Sequence, residues 1–417
     1  MKILYTILSR CFFLFVASAS LFLTASFNNN SHEEKWIVPN LTECASAPFG
    51  DLITVDLTKK YPEKDFSIDD AQKEFILLET TNDVLSDRDF EVLYVSDKKI
   101  VCTNRSRGDI IFFGRDGKVI SYFNCKGNSG TEYNTITSIV FDESRKEVFV
   151  ADYILRNQCL VYSEEGKFLR KFNFPSRSWI TRLYSFNEQT LLAYNGHGPS
   201  SYQDNNINQN MPYIFLSKKD GSLVSRLNLS FKNRISDNHS IRLDDGGMLF
   251  FAINSENILK YGQEFIIAER STDTVFVLKQ DKKLTPLFVR SPSVFNENNL
   301  ITLSVYHKTD RYLFFSSVLY NWKEIVEQAK KNQSQQGSGS LPSSDLAIDL
   351  QTYQVFIANH IPSSVDSPEK IGVDMYHADR LVERLEKGEL EGKLKQIAQT
   401  IKKEGEDINP VVVITKY

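Results

Sequence analysis

The chain has 417 residues, room for two ordinary domains or one large one, and its 49 basic against 53 acidic side chains give a formal charge of −4. With no basic excess it has no general pull on nucleic acid or on an anionic membrane surface. Five cysteines in so long a chain are no disulfide framework and no Cys-x-x-Cys spacing suggests zinc, whereas 29 Phe and 18 Tyr, many alternating with Val and Ile, point to strands.

The N-terminus reads differently from the rest. Lys2 and Arg10 precede an almost unbroken apolar run from Cys11 to Leu23, with small residues at Ala17 to Ala19 and Thr24 to Ser26. A basic start, a short apolar core and a small-residue cut site are the marks of an export signal over residues 1–26, since the run is short for a bilayer span. An uncleaved anchor is the alternative. The mature chain is therefore expected in the periplasm or cell envelope, without a transmembrane span, and two charges more negative once Lys2 and Arg10 are gone. Cys11 stands before the apolar core and Cys44 well beyond it, so neither fits a lipobox. A polar segment, 27–49, then leads to the folded part, 50–417.

Short strands are predicted at Leu52 to Leu57 and Phe75 to Thr81. A four-strand unit follows from Phe90 to Asn124, a second from Ile136 to Phe174, a third from about Trp179 to Leu229, a fourth from His239 to Phe288 and a fifth from roughly Leu300 to Ala358. The first three units carry one repeated phrase: an apolar strand, an Asp-Gly or Glu-Gly turn, then an alternating strand. Its glycines, Gly117, Gly166 and Gly221, recur at intervals of roughly 50 residues. A four-stranded repeat of that period cannot bury both faces alone, so the units must pack radially, as propeller blades do. Helical segments are expected near 320–331, followed by a Gly/Ser-rich tract, and over 378–404, ending at Gly405. Val411 to Thr415 then forms a last strand, which needs an edge near Val55 or Leu77 to close the ring as a sixth blade. The expected fold class is all-β: a six-bladed β-propeller of four-stranded antiparallel blades with a helical insertion near the C-terminus.

Several phrases carry a family likeness: Phe75-Ile-Leu-Leu-Glu-Thr-Thr-Asn-Asp83, Lys126-Gly-Asn-Ser-Gly-Thr-Glu-Tyr133, the Asp142 and Asp152 pattern, and Asn409-Pro-Val-Val-Val413. Through them the chain resembles six-bladed β-propeller proteins exported by Bacteroides-type bacteria, distant relatives of NHL-repeat and TolB-like propellers. The resemblance implies export and the propeller fold, but no particular chemistry. It departs at Lys126 to Tyr133, where the family's turn carries a proline, and at the lipobox cysteine that many members have.

Chemical motifs are sparse. Gly127-Asn-Ser-Gly130 lacks both the nucleophile-elbow spacing and a following Lys-Ser/Thr, and reads as a crossover whose glycines permit positive φ. No histidine pair has metal-ligand spacing. Cys102, Cys125 and Cys159 fall in strand-like runs and are expected as buried free thiols. Asp152 is expected to cap a turn. Arg105 with Arg107, and Tyr153 with Arg156, occupy corresponding loops of successive units, where guanidinium and aromatic groups suit carboxylates or sugar rings. His197 lies in a Gly-flanked loop, and His239 and His307 near predicted strand starts. Exposed loop positions, or arginines bonding a neighbouring blade's carbonyls, are the bland alternatives.

The ligand-binding expectation is thus Arg105, Tyr153, Arg156, His197, His239 and His307 around one mouth of the channel. No catalytic residue, metal or cofactor is assigned. The expected function is an exported, non-catalytic propeller binding a small molecule, glycan, peptide or protein. The alternative is a hydrolase or lactonase with a divalent metal at the channel, a reading from fold analogy alone. A third class, an assembly subunit, would use the rim and the inserted helix.

Overall fold

The computed structural model describes residues 52–417 apart from 68–71, 88, 153–156, 177, 197–209, 232–233, 237, 243–247, 254–256, 295–298, 322–323, 326, 328–342, 361–362 and 406–407; the side chains of 238–252 are likewise left aside. Three short strands come first: β1 (Thr54–Asp56), β2 (Glu63–Lys64) and β3 (Lys73–Leu77). Blade 1 follows as a meander of β4 (Phe90–Val95), β5 (Lys99–Asn104), β6 (Asp109–Gly114) and β7 (Val119–Asn124). Blade 2 is β8 (Ile136–Asp142), β9 (Glu147–Asp152), β10 (Gln158–Ser163) and β11 (Phe168–Asn173). Blade 3 is β12 (Ile180–Ser185), β13 (Thr190–Asn195), β14 (Tyr213–Ser217) and β15 (Leu223–Arg226).

The fourth unit differs from the expectation. Met248 to Ala252 does not open blade 4; it pairs as β17 (Met248–Ala252) with β16 (Asn238–Arg242) in a separate two-stranded sheet. Blade 4 begins at β18 (Ile258–Tyr261) and continues through β19 (Glu264–Ile267), β20 (Thr274–Leu278) and β21 (Leu284–Ser291). Lys260 interrupts the apolar run of β18, which hides this strand from a hydrophobicity reading. Blade 5 is β22 (Asn299–Lys308), β23 (Tyr312–Asn321), β24 (Ser343–Asp349) and β25 (Val355–Ala358).

Blade 6 closes the ring from both ends of the chain. Its outer strands are β26 (Ile371–Tyr376), the terminal β27 (Val411–Lys416) and β3, with Val411 opposite Leu77 and Thr415 opposite Lys73. A bridge between Ser363 and Val373 marks its inner strand. The expected joint near Leu77 is therefore present, while the Val55 strand goes elsewhere. β1 pairs parallel with β21, and β2 pairs parallel with β25, so each adds a fifth strand to its blade. The segment from β1 to β3 runs as a belt around the outer edges of blades 4, 5 and 6.

Burial follows from radial packing. Middle strands such as β6 and β10 are buried on both faces and read as continuous apolar runs, while outer strands such as β11 alternate. The core is a series of layers between blades: Val101, Phe112 and Phe141 between blades 1 and 2, and Phe149, Phe172 and Leu191 between blades 2 and 3. The C-terminal helical pattern is two helices, α1 (Ala378–Glu386) and α2 (Gly392–Glu404), because Gly388 takes a left-handed φ of 68° and ends the first. Gly405 ends the second, as expected. On β27, Val412 and Ile414 face the layer shared with blade 1, and Val411 and Val413 face the helices. Among the described residues no helix is long and apolar enough to cross a membrane.

Candidate functional site

Each blade has a hairpin end, where its first strand turns into its second, and a crossover end, where the chain passes to the next blade. The first strands line the channel, and at the hairpin end they bring charged residues together. Lys218, in the turn after β14, is almost fully buried; its Nζ donates to Asp142 Oδ2 at 2.6 Å and to Ser185 Oγ at 2.8 Å. Asp142 ends β8 and Ser185 ends β12, so one ammonium ties blade 3 to blade 2. Burial depresses the Lys218 pKa, against the pull of Asp142, and nearby Lys260 depresses it further.

Lys260, on β18, donates to Asp366 Oδ1 at 2.6 Å. Blade 5 lies between their blades, so this pair reaches across the channel. Asp366 is also held by its backbone, which donates to Leu93 O at 3.3 Å and accepts from Val95 N at 3.1 Å. Beside it Tyr94 Oη and Ser96 Oγ each donate to Glu143, at 3.0 Å and 3.0 Å. Burial, then Glu143 and more distant Asp366, push the Tyr94 pKa far up, so its phenol stays a donor. On blade 5, Lys308 lies 4.3 Å from the centre of the Tyr261 ring, its pKa lowered by burial. Lysines and carboxylates thus neutralise one another here. The arrangement is an ionic cluster, the plug, in which the Lys218–Asp142 pair is buried and the Lys260–Asp366 pair is partly exposed. Removing either member of the buried pair strands its partner in a low dielectric.

Among the described residues no group of three or more His, Cys, Asp or Glu is placed to hold a metal ion. Cys102 and Cys159 are buried free thiols and Cys125 is half-buried and free; burial raises the pKa of all three.

At the crossover end, Arg105 leaves β5, pairs with Glu91 and donates from Nη1 to Thr137 O at 3.2 Å on the neighbouring blade. Arg107 pairs with Asp109 at 2.6 Å and donates to Leu85 O at 2.6 Å. Both arginines therefore serve blade edges, and the Arg105 side chain stays 37% exposed. Asp152 accepts from Asn134 N and Thr135 N, so it caps the incoming crossover. The Gly127 to Gly130 segment is that crossover. Its glycines are not in the left-handed region; a Cβ on Gly127 would instead strike the Glu132 carboxylate that accepts from Ser129 N.

Tyr153, Arg156 and His197 lie outside the described residues, and so does the side chain of His239, which falls within β16. His307 is no exposed strand-start residue. The apolar run of β22 leads up to it rather than starting at it, leaving it fully buried near that strand's hairpin end, bonded through Nδ1 to Ser364 Oγ at 2.7 Å and packed 4.8 Å from the Tyr417 ring. Arg105 and His307 are thus at opposite ends of their blades. Lys218, Lys260, Glu143 and Asp366 escaped the sequence reading, since a lysine in a turn or short strand looks solvated. The one available signal was Lys260 inside an apolar tetrapeptide.

Residues 52–416 match a family described as a domain of unknown function, DUF4934. No curated protein matches the chain. Among solved structures, a Bacteroides fragilis protein assigned as exported is similar at 12% identity with a TM-score of 0.58, covering 87% of this chain and 99% of its own. A member of the DUF4221 family from Bacteroides vulgatus is similar at 9% identity with a TM-score of 0.46, covering 82% and 95%. At such identities the first likeness bears on fold alone.

Proposed function

The chain belongs to the DUF4934 family, and on that footing we propose that it is an exported, non-catalytic propeller that binds a glycan, peptide or partner protein at the crossover mouth of its channel. Kinship with NHL-repeat and TolB-like propellers is part of this reading. The observation that supports it is the plug: at the hairpin end the ammonium groups of Lys218 and Lys260 are already paired with Asp142 and Asp366, at 2.6 Å each, which favours the opposite mouth for a ligand. Arg105, partly exposed there, supplies a guanidinium group, and in this reading Tyr153, Arg156 and His197 add phenol, guanidinium and imidazole groups suited to carboxylates and sugar hydroxyls. His307 is outside this set, at the plugged end. Export rests on the signal-like residues 1–26, and the name of the Bacteroides fragilis neighbour agrees with it.

The test is a screen of the mature protein against glycan and peptide libraries, followed by Arg156→Ala and His197→Ala. Each substitution is expected to weaken the best hit while leaving the melting temperature nearly unchanged. Binding that survives both substitutions would remove the mouth from consideration.

A further inference from the structure

The outer edges of the blades are not alike. Among the described residues, strands β7, β11 and β15 end their sheets, whereas β21 and β25 are each covered by a strand of the belt. In blades 1 to 3 the outer strand bulges at one equivalent position: the pairing skips Ile120 between Val119 and Ser121, Leu169 between Phe168 and Arg170, and Val224 between Leu223 and Ser225. Each is the third residue after the turn glycine. A bulge turns its extra side chain out of the ladder, and these three are 54%, 42% and 49% exposed. No large exposed hydrophobic residue lies on β21 or β25.

Blade 4 shows what an outer-strand bulge holds when the edge is covered. Its outer strand bulges two residues further along, five residues after the left-handed turn residue Lys282, with the pairing skipping Leu287 between Pro286 and Phe288. Leu287 is not exposed: it packs in the cluster that contains Val55 and Leu57 of the belt, with Ile53 against it. The covering segment lies parallel to β21 and is anchored by Val289 N donating to Ile53 O at 2.9 Å and Leu57 N donating to Ser291 O at 2.7 Å. Its sequence, Ile53-Thr-Val-Asp-Leu57, alternates aliphatic residues with polar ones and includes an acid.

We propose that the bulged outer edges of blades 1 to 3 are strand-addition sites for an extended segment of a partner protein, lying parallel to the outer strand, with aliphatic residues at alternate positions and acidic residues between them. Exposed edges with apolar side chains are a liability that proteins otherwise blunt, and this chain covers two of its own. Main-chain bonds supply affinity and the bulge residue a hydrophobic contact, as in other strand-addition complexes. The acidic preference comes from blades 2 and 3, where β11 carries Lys171 and β15 carries Arg226 with no carboxylate on either strand. Arg170 is already paired with Glu147, and β7 carries no charge and takes the Glu79 carboxylate at Val119 N. Lys171 and Arg226 also disfavour pairing of β11 or β15 with the same edge of a second copy. This surface is separate from the channel mouth.

The probe is a labelled synthetic peptide copying Leu52 to Thr58, added to the mature protein and followed by fluorescence polarisation and by hydrogen exchange. Protection is expected at 119–124, 168–173 and 223–226, lost when the peptide carries Thr54→Pro, and weakened at about 0.5 M salt. The triple variant Ile120→Thr, Leu169→Thr, Val224→Thr keeps β-branched strand formers at solvent-facing positions. It should bind roughly tenfold more weakly, with an unchanged melting temperature. Absent protection, or equal affinity in the triple variant, overturns the proposal. Concentration-dependent self-association that protects the same strands without peptide also overturns it, in favour of a second copy.

Discussion

Gly117, Gly166, Gly221, Lys282 and Tyr353 occupy the same turn, between third and fourth strands, in five successive blades, with φ of 80°, 79°, 72°, 65° and 59°. The left-handed backbone is thus a property of the blade, while the glycine answers a second demand. A Cβ on Gly166 would lie 2.5 Å from Phe123 Cβ of the preceding blade. Gly166→Ala should therefore add overpacking to backbone strain and cost about 2–4 kcal/mol. Gly262→Ala, with φ 59° and nothing within 4 Å, should cost only about 1 kcal/mol. Urea unfolding of both compares them, and equal losses would show that blade contact is immaterial. The plug offers a second residue-scale test. Lys218→Met leaves the Asp142 carboxylate buried without its ammonium, an expected loss of about 3–5 kcal/mol. Adding Asp142→Asn should restore part of that loss. If the double variant is as unstable as the sum of the singles, the pair is not coupled.

Among the elements, the belt is held at one point by an ammonium among rings. Lys64 Nζ bonds Tyr312 Oη at 2.5 Å and lies 4.6 Å from the Tyr312 ring centre and 4.9 Å from that of Phe356, with Phe66 edge-on to Tyr312 and Phe314. Lys64→Ala should remove about 0.5–2 kcal/mol of cation–π attraction. Because β2 has only two paired residues, the loss should appear as faster hydrogen exchange at 355–358, ahead of global unfolding. Unchanged exchange there would mean that β2 is held by its neighbours instead. Of these elements, the meanders were legible in the sequence because each hairpin leaves its own turn residues and alternation. The closing strand was legible because a lone apolar run after a helix has nowhere else to pair. In the belt, the strands at β1 and β3 were legible from their alternation, but the two-residue β2 and the parallel pairing of β1 with β21 were not, since a parallel pairing leaves no turn and two residues carry no period. Nor was the plug, because the side of a blade on which Lys260 lies depends on the ring as a whole. His307 misled for the same reason: a histidine within a strand is buried or exposed according to what the neighbouring blade brings, here Ser364.

At the scale of the whole molecule, stability depends on a ring whose first and last segments are more than three hundred residues apart in sequence and adjacent in space. β27 lies between β26 and β3 and is buried on both faces, so it joins the ends, roofs the layer shared with blade 1 and seats α1 and α2. Asn409 is the clasp. Fully buried, it accepts from Ser86 N at 2.6 Å and donates from Nδ2 to Glu79 O at 2.7 Å and Val84 O at 3.0 Å, while its own N–H reaches Thr80 Oγ1 at 2.8 Å. Asn409→Ala strands those buried partners and should cost about 2–4 kcal/mol. Deleting residues 409–417 should cost far more, because it opens the ring, bares the edges of β26 and β3 and removes the floor of the helix pair. A loss on the order of the 5–15 kcal/mol that holds a typical domain together is expected, seen as aggregation or loss of a cooperative melt. The two variants separate closure from clasp. If the truncated chain melts at the temperature of the full one, the terminal strand is an ornament on a ring that closes without it.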